Sequence, residues 1–239
     1  MQFLNFTCSR PEENLALDEA LLDEAERNSE PFELLRVWEP PATMVVVGTS
    51  SRVSDEVRQD VCRARGIGVF RRTSGGAAIV TGAGCLMYAV VLSYRRRPQL
   101  RMLDVAHRTV MGTMAEALAR RVSGVRFQGT CDLTLDGKKF SGNSLRCRRE
   151  ALMYHGTLLY DFPLALIGEC LKQPPRQPDY RAGRPHESFV TNLPMQRDEI
   201  VAALVEAWDA REPLPSLPQA TLDELVAAKY SQSTWNLKY

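Results

Sequence analysis

Short runs of apolar and β-branched residues alternate along this chain with longer stretches of helical period, which confines it to a sheet covered by helices. Leu17, Ala20, Leu21 and Glu24 fall on neighbouring turns and predict a helix over residues 11–27. Ser9-Arg10-Pro11-Glu12 has capping-box spacing at its start, and Glu12 and Glu13 lie where the helix dipole favours acids. Val105, Val110, Met114 and Leu118 predict a second long helix over 103–121, and shorter helical patterns cover 55–65, 198–208 and 222–230. Strand-like runs occupy 32–38, 44–48, 67–72, 86–93 and 152–160, with a small-residue loop at 73–84. Asp136-Gly137 sits between the alternating Asp132-Leu133-Thr134-Leu135 and Lys138-Lys139-Phe140, the signature of a tight hairpin turn. The pattern shows no repeat and no low-complexity linker. It predicts one domain over 1–239, of α/β or α+β class, with a mixed β-sheet flanked by helices.

Composition narrows the functional classes. Lys plus Arg at 30 against Asp plus Glu at 29 leaves a net charge of +1, which lacks the basic excess of a dedicated nucleic-acid binder. Anion recognition must therefore be local. No apolar stretch reaches the length of a membrane span, and the opening MQFLNFTCSRPEEN lacks a basic segment followed by a long apolar run, so a cytoplasmic protein without nucleic-acid or membrane partners is expected. The six cysteines contain no C-x-x-C pair, which argues against structural zinc and leaves free thiols as the ordinary reading. His107, His155 and His186 have no spacing that suits a metal, and none is expected.

Three segments carry chemistry. Arg71-Arg72-Thr73-Ser74-Gly75-Gly76-Ala77-Ala78 sets two fixed positive charges beside residues with minimal side chains, so that backbone N–H groups can approach an anion closely. A glycine pair between strands is more commonly a turn or bulge, and the segment matches neither G-x-G-x-x-G nor the Walker loop. Of Lys138 and Lys139, just past the hairpin turn, one faces each side of the sheet; either is a solvated amine or a group that polarises an acyl carbonyl. His155 lies in an apolar strand, where a hydrogen-bonded core histidine is the commoner outcome, and Ser74 has no G-x-S-x-G context. The proline-rich connection QPPRQPDYRAGRPHESF is too long for a neutral turn and is expected to cover a site.

NLALDEALL, RRTSGGAAI, CDLTLDGKKFSGNS, HGTLLYD, FVTNL and KYSQSTWN follow one another from Asn14 to Asn236. In that order they resemble the lipoate protein ligase A family, within the group of biotin ligases, lipoate ligases and octanoyltransferases. The resemblance implies a biotin/lipoate ligase-type fold and transfer of lipoate, through an adenylate made from ATP and Mg2+, to one lysine of an acceptor. Implied acceptors are the lipoyl domains of 2-oxoacid dehydrogenases or the glycine cleavage H protein. It makes RRTSGGAA the adenylate-binding loop, with Arg71 or Arg72 near phosphate and carboxylate and Gly75 and Gly76 approaching through backbone. Ser74, Ala77, Ala78, Cys131, Asp132, Gly142 and His155 join the adenylate and acyl site. Lys139 takes the place of the functional lysine. Apolar neighbours would form a tunnel for the acyl chain, at about 0.8 kcal/mol per buried methylene.

The chain departs from the family at Ala77, where a third glycine is usual, at Thr81, where a histidine is usual, and at Cys131, where many ligases carry asparagine. The last change keeps open an octanoyltransferase that takes an octanoyl group from acyl carrier protein, although Cys131 does not occupy the nucleophile's place in those relatives. A non-catalytic binding module of the same fold is the third reading, disfavoured by Lys139. The smaller C-terminal domain that commonly follows the KY…WN signature has no counterpart after Asn236. A catalytic domain alone is therefore expected, served by a separate accessory chain or by an already activated donor.

Overall fold

The computed structural model describes residues 1–239. Its strands are β1 Gln2–Asn5, β2 Leu34–Trp38, β3 Met44–Val47, β4 Gly68–Arg71, β5 Ile79–Thr81, β6 Cys85–Ser93, β7 Val125–Gln128, β8 Asp132–Leu135, β9 Lys138–Cys147, β10 Ala151–Leu159 and β11 Glu212–Pro213. Its helices are α1 Pro11–Arg27, α2 Val53–Glu56, α3 Gln59–Ala64, α4 Leu103–Ala119, α5 Ala165–Cys170, α6 His186–Phe189, α7 Arg197–Trp208, α8 Gln219–Leu225 and α9 Ser233–Asn236. Eight strands form a mixed sheet in the order β11-β1-β2-β6-β10-β9-β8-β7, and β4-β3-β5 form a separate three-stranded sheet. The expected mixed sheet flanked by helices is what the chain forms.

The central strands β6 and β10 are apolar on both faces because each face meets a different core. Met87, Ala89 and Val91 of β6 pack toward Leu17 and Leu21 of α1 and Val45 of β3. Leu86, Tyr88, Val90 and Leu92 pack toward Val110 and Met114 of α4 and Leu204 of α7. Arg36 on β2 pins α1 to the sheet: it is fully buried, stands 2.5 Å from Asp18 Oδ1 and donates to the Asn14 carbonyl at 2.7 Å. No helix is long and apolar enough to cross a membrane.

Several boundaries differ from the sequence reading. The capping box starts one residue later, with Arg10 as N-cap, Pro11 presetting the first turn, and Glu13 accepting the Arg10 N–H at 3.1 Å. The helix expected over 55–65 is broken into α2 and α3 because Val57 is extended and bridges Leu171. The loop at 73–84 contains β5, drawn into antiparallel pairing with β3. β1 and β7 escaped notice because four residues are too few to display a period. The last helical pattern begins at Gln219 and widens at Val226–Tyr230 into a π turn. The Asp136-Gly137 turn forms as expected, both residues having positive φ, with Leu135 paired to Lys138.

Candidate active site

One bulge decides where the hairpin lysines point. Thr134 pairs with Lys139 and Leu133 with Ser141, so Phe140 is extra on β9 and drops into the core. Lys138 is left exposed, whereas Lys139 lines two adjoining cavities. The larger, with about 830 Å³ of free space, has an apolar wall from Ile79, Val80, Phe140, Leu159, Ile167, Leu171 and Phe189. Glu56, Lys172, Arg176, Arg181 and His186 also line it. Pro174, Pro178 and Phe189 of the proline-rich connection line it too. The smaller cavity, about 500 Å³, lies between the loop at Gly76, Ala77, Ala78 and Ile79 above and Met87, Gly142, Asn143, Ser144, His155 and Gly156 below. Ala77, Ala78, Ile79, Lys139 and Gly142 border both.

The two arginines of the loop have structural partners. Arg71, last in β4, is fully buried and lines neither cavity. Its guanidinium donates to the carbonyls of Gly48 at 2.6 Å, Ser51 at 2.9 Å and Trp235 at 2.9 Å, and also to that of Lys238. The expectation that Arg71 reaches a ligand is corrected, because successive strand residues face opposite sides and this one faces the C-terminal segment. Arg72 borders the smaller cavity, yet it donates to the carbonyls of Val46 at 3.2 Å, Gly75 at 2.6 Å and Ala77 at 3.0 Å. Burial pushes its pKa down to about 10, so it is charged at neutral pH. With those carbonyls turned toward Arg72, the amides of Gly75, Gly76 and Ala77 donate to no protein group, whereas that of Ala78 is held by Glu56 Oε2 at 2.5 Å. Gly76 has φ +90, and Gly48 lies so close beneath it that a Cβ there would come within 2.0 Å of its carbonyl.

Ser74 is fully buried and lines neither cavity, and Gly75 also lies outside both linings. The Ser74 hydroxyl accepts from Arg72 Nε at 3.2 Å and lies 2.6 Å from His155 Nε2. The other imidazole nitrogen, Nδ1, lies 3.6 Å from Asp18 Oδ2. His155 borders the smaller cavity, with Nε2 engaged by Ser74. Asp132 and Cys131 line neither cavity. Asp132 Oδ1 pairs with Lys139 Nζ at 2.6 Å. The Cys131 thiol donates to the Asn143 carbonyl at 2.9 Å, and burial followed by the Asp132 charge raises its pKa.

Met87, Asn143, Ser144 and Gly156 were missed as cavity residues, although Asn143, Ser144 and Gly156 fall within the quoted motifs. A Cβ at Gly156 would lie 1.8 Å from Asn143 Oδ1, so this glycine makes room for the amide beside it. Glu19 of α1 was missed too. Its carboxylate gathers Lys229 at 2.6 Å, Tyr230 at 2.7 Å, Thr73 at 3.1 Å and Arg148 at 3.2 Å, joining the loop to the π turn.

This architecture is that of the lipoate-protein ligases. A putative lipoate protein ligase of Thermoplasma acidophilum, solved with lipoic acid bound, superposes with TM-score 0.82 at 22% identity, covering 100% of this chain and 99% of that one. A lipoate-protein ligase A bound with ATP gives 0.78 at 23%, over 99% and 98%. Residues 10–208 match the lipoyl protein ligase A/B catalytic domain, and the chain belongs to that family. A putative lipoate-protein ligase A of Aeropyrum pernix is 31% identical over 156 residues, covering 65% of this chain and 56% of the relative. Octanoyltransferase LipM of Geobacillus kaustophilus is 23% identical, over 99% of this chain and 98% of its own length. The chain spans about half the length of the lipoate-protein ligases it matches in Aeropyrum pernix and Mycoplasma pneumoniae, at 56% and 45%.

Proposed function

We propose that the chain is an acyl-transfer enzyme that joins lipoate, as lipoyl-AMP, to a specific lysine of a lipoyl domain. The observation that carries this reading is Lys139 at the meeting of two cavities that the unpartnered amides of Gly76 and Ala77 and an apolar wall also line. In the first step a carboxylate oxygen of lipoate bonds to the α-phosphorus of ATP and pyrophosphate leaves. In the second, the acceptor amine bonds to the acyl carbon, AMP departs with the electron pair of the broken C–O bond, and the amine proton passes to solvent. Lys139 and the amides of Gly76 and Ala77 supply donors for the charge that develops on the acyl and phosphate oxygens. Mg2+ enters with the nucleotide as part of the substrate. The relative solved as a bi-partite ligase with its E2 lipoyl domain, at TM-score 0.80 and 24% identity, supports the choice of acceptor. The reaction belongs in the cytoplasm, where ATP and such acceptors meet.

The full-length match to LipM favours a second reading, octanoyl transfer from acyl carrier protein. Against a thiol-bound intermediate stands the fact that none of the six cysteines lines either cavity. Acceptor mass separates the readings after incubation of an apo lipoyl domain with lipoate and magnesium ATP, with preformed lipoyl-AMP, or with octanoyl-acyl carrier protein. Transfer from lipoate or its adenylate is expected. Transfer from the carrier protein alone replaces the ligase by the octanoyltransferase, and transfer from none leaves a binding module.

A further inference from the structure

Resting on that reading, we propose that Tyr180 is a positioning residue for Lys139, acting through Asp132 and making it possible for the lysine to leave its ion pair for a ligand anion. Lys139 Nζ stands 2.6 Å from Asp132 Oδ1, so one of its three N–H groups is engaged by a protein carboxylate, and moving the ammonium toward a ligand anion stretches or breaks that pair. The Asp132 side chain is 9% exposed, too little for water to replace the departing ammonium, and an unpaired buried carboxylate is strongly unfavourable. The Tyr180 hydroxyl donates to the other oxygen, Oδ2, at 2.7 Å. No other side chain donates to Asp132, so this bond is what remains when Lys139 leaves.

Tyr180 is fixed independently of the lysine. Its ring lies 5.4 Å from that of Phe189, its carbonyl accepts from Arg184 at 2.9 Å, and it packs over Gly129, where a Cβ would come within 3.3 Å of the ring. Burial, with Asp132 next, raises the phenol far above its ordinary pKa, so it remains a donor throughout the working range. The residue belongs to the proline-rich connection that lines the larger cavity, which gives that segment a part in the chemistry beyond lining it.

The test uses the free protein and the rate at which a trace amine acylating reagent, acetic anhydride, labels Lys139, read by peptide mass spectrometry against the exposed neighbour Lys138. In Tyr180→Phe the carboxylate depends on Lys139 alone, so labelling should slow about 3-fold; in Asp132→Asn it should quicken by at least as much. The acyl-transfer kcat of Tyr180→Phe should fall about 10-fold, the effect of one charge-assisted hydrogen bond, with the acceptor KM unchanged. A packing role alone would loosen the lysine, so unchanged or faster labelling in Tyr180→Phe overturns the proposal. Circular dichroism confirms that both variants are folded. Labelling does not depend on which acyl group is transferred, so it tests the pairing separately from the proposed reaction.

Discussion

The Ser74 hydroxyl and His155 Nε2, 81 residues apart in sequence, meet at 2.6 Å and tie the glycine loop to the middle of the large sheet. His155→Phe keeps an aromatic ring but leaves the buried Ser74 hydroxyl with Arg72 as its one remaining partner, a loss of about 1–3 kcal/mol. Adding Ser74→Ala should recover most of that loss. Urea unfolding of the single and double variants measures the coupling, and simple additivity would mean the contact contributes nothing.

Arg71 is expected to be a stability residue. Arg71→Lys places one ammonium where a planar guanidinium reaches four carbonyls, and should cost about 2–4 kcal/mol. The segment carrying Trp235 and Lys238 would lose its anchor. Trypsin cleavage after Lys229 should therefore accelerate well ahead of cleavage elsewhere; an unchanged cleavage rate contradicts the anchoring role.

Lys139→Ala should lower acyl transfer at least about 100-fold while shifting the unfolding midpoint by only about 5 °C, because the lysine is partly exposed and Tyr180 still satisfies Asp132. Cys131→Ser should retain most activity. A raised thiol pKa and a hydrogen bond into the Asn143 carbonyl make this sulfur a poor nucleophile. Near-complete loss in the serine variant, or an acyl adduct on the intact protein, would place the thiol in the reaction after all.

Glu19 gives the protein an acid-sensitive joint. Burial alone would raise its carboxyl, but Lys229, Tyr230 and Thr73 together hold it below the ordinary 4.5. A lowered folded pKa means that its stabilisation is fully present above about pH 4.5 and is lost as pH falls through the lower folded value. Glu19→Gln should therefore be less stable at neutral pH by about 3–5 kcal/mol. The gap from wild type should narrow on acidification below about pH 4.5. A pH-independent gap in urea titrations would show that charge is not the cause.

The features legible in the sequence were those written in local chemistry. The first helix, the Asp136-Gly137 hairpin and the glycine loop follow from periodicity and turn residues, and the bulge at Phe140 then aims Lys139 as the lysine pair allows. Arg71 and Arg72 were left as alternatives for the ligand although strand alternation already requires neighbours to face opposite ways; Arg72 borders the smaller cavity and Arg71 does not. Asp18 and Glu19 left a faint signal as acids inside an apolar helix, and both are buried against partners far along the chain. Tyr180 left none, because an irregular segment has no period and its partner lies 48 residues away.

The loop above the smaller cavity and the strands below it belong to different sheets. Side chains span the gap: Ser74 reaches His155, and Ser144 donates to the Gly75 carbonyl at 3.0 Å. The bore of the cavity is therefore set by a few replaceable struts rather than by a backbone ladder. Exchanging those struts can change the width of the cavity with every strand left in register.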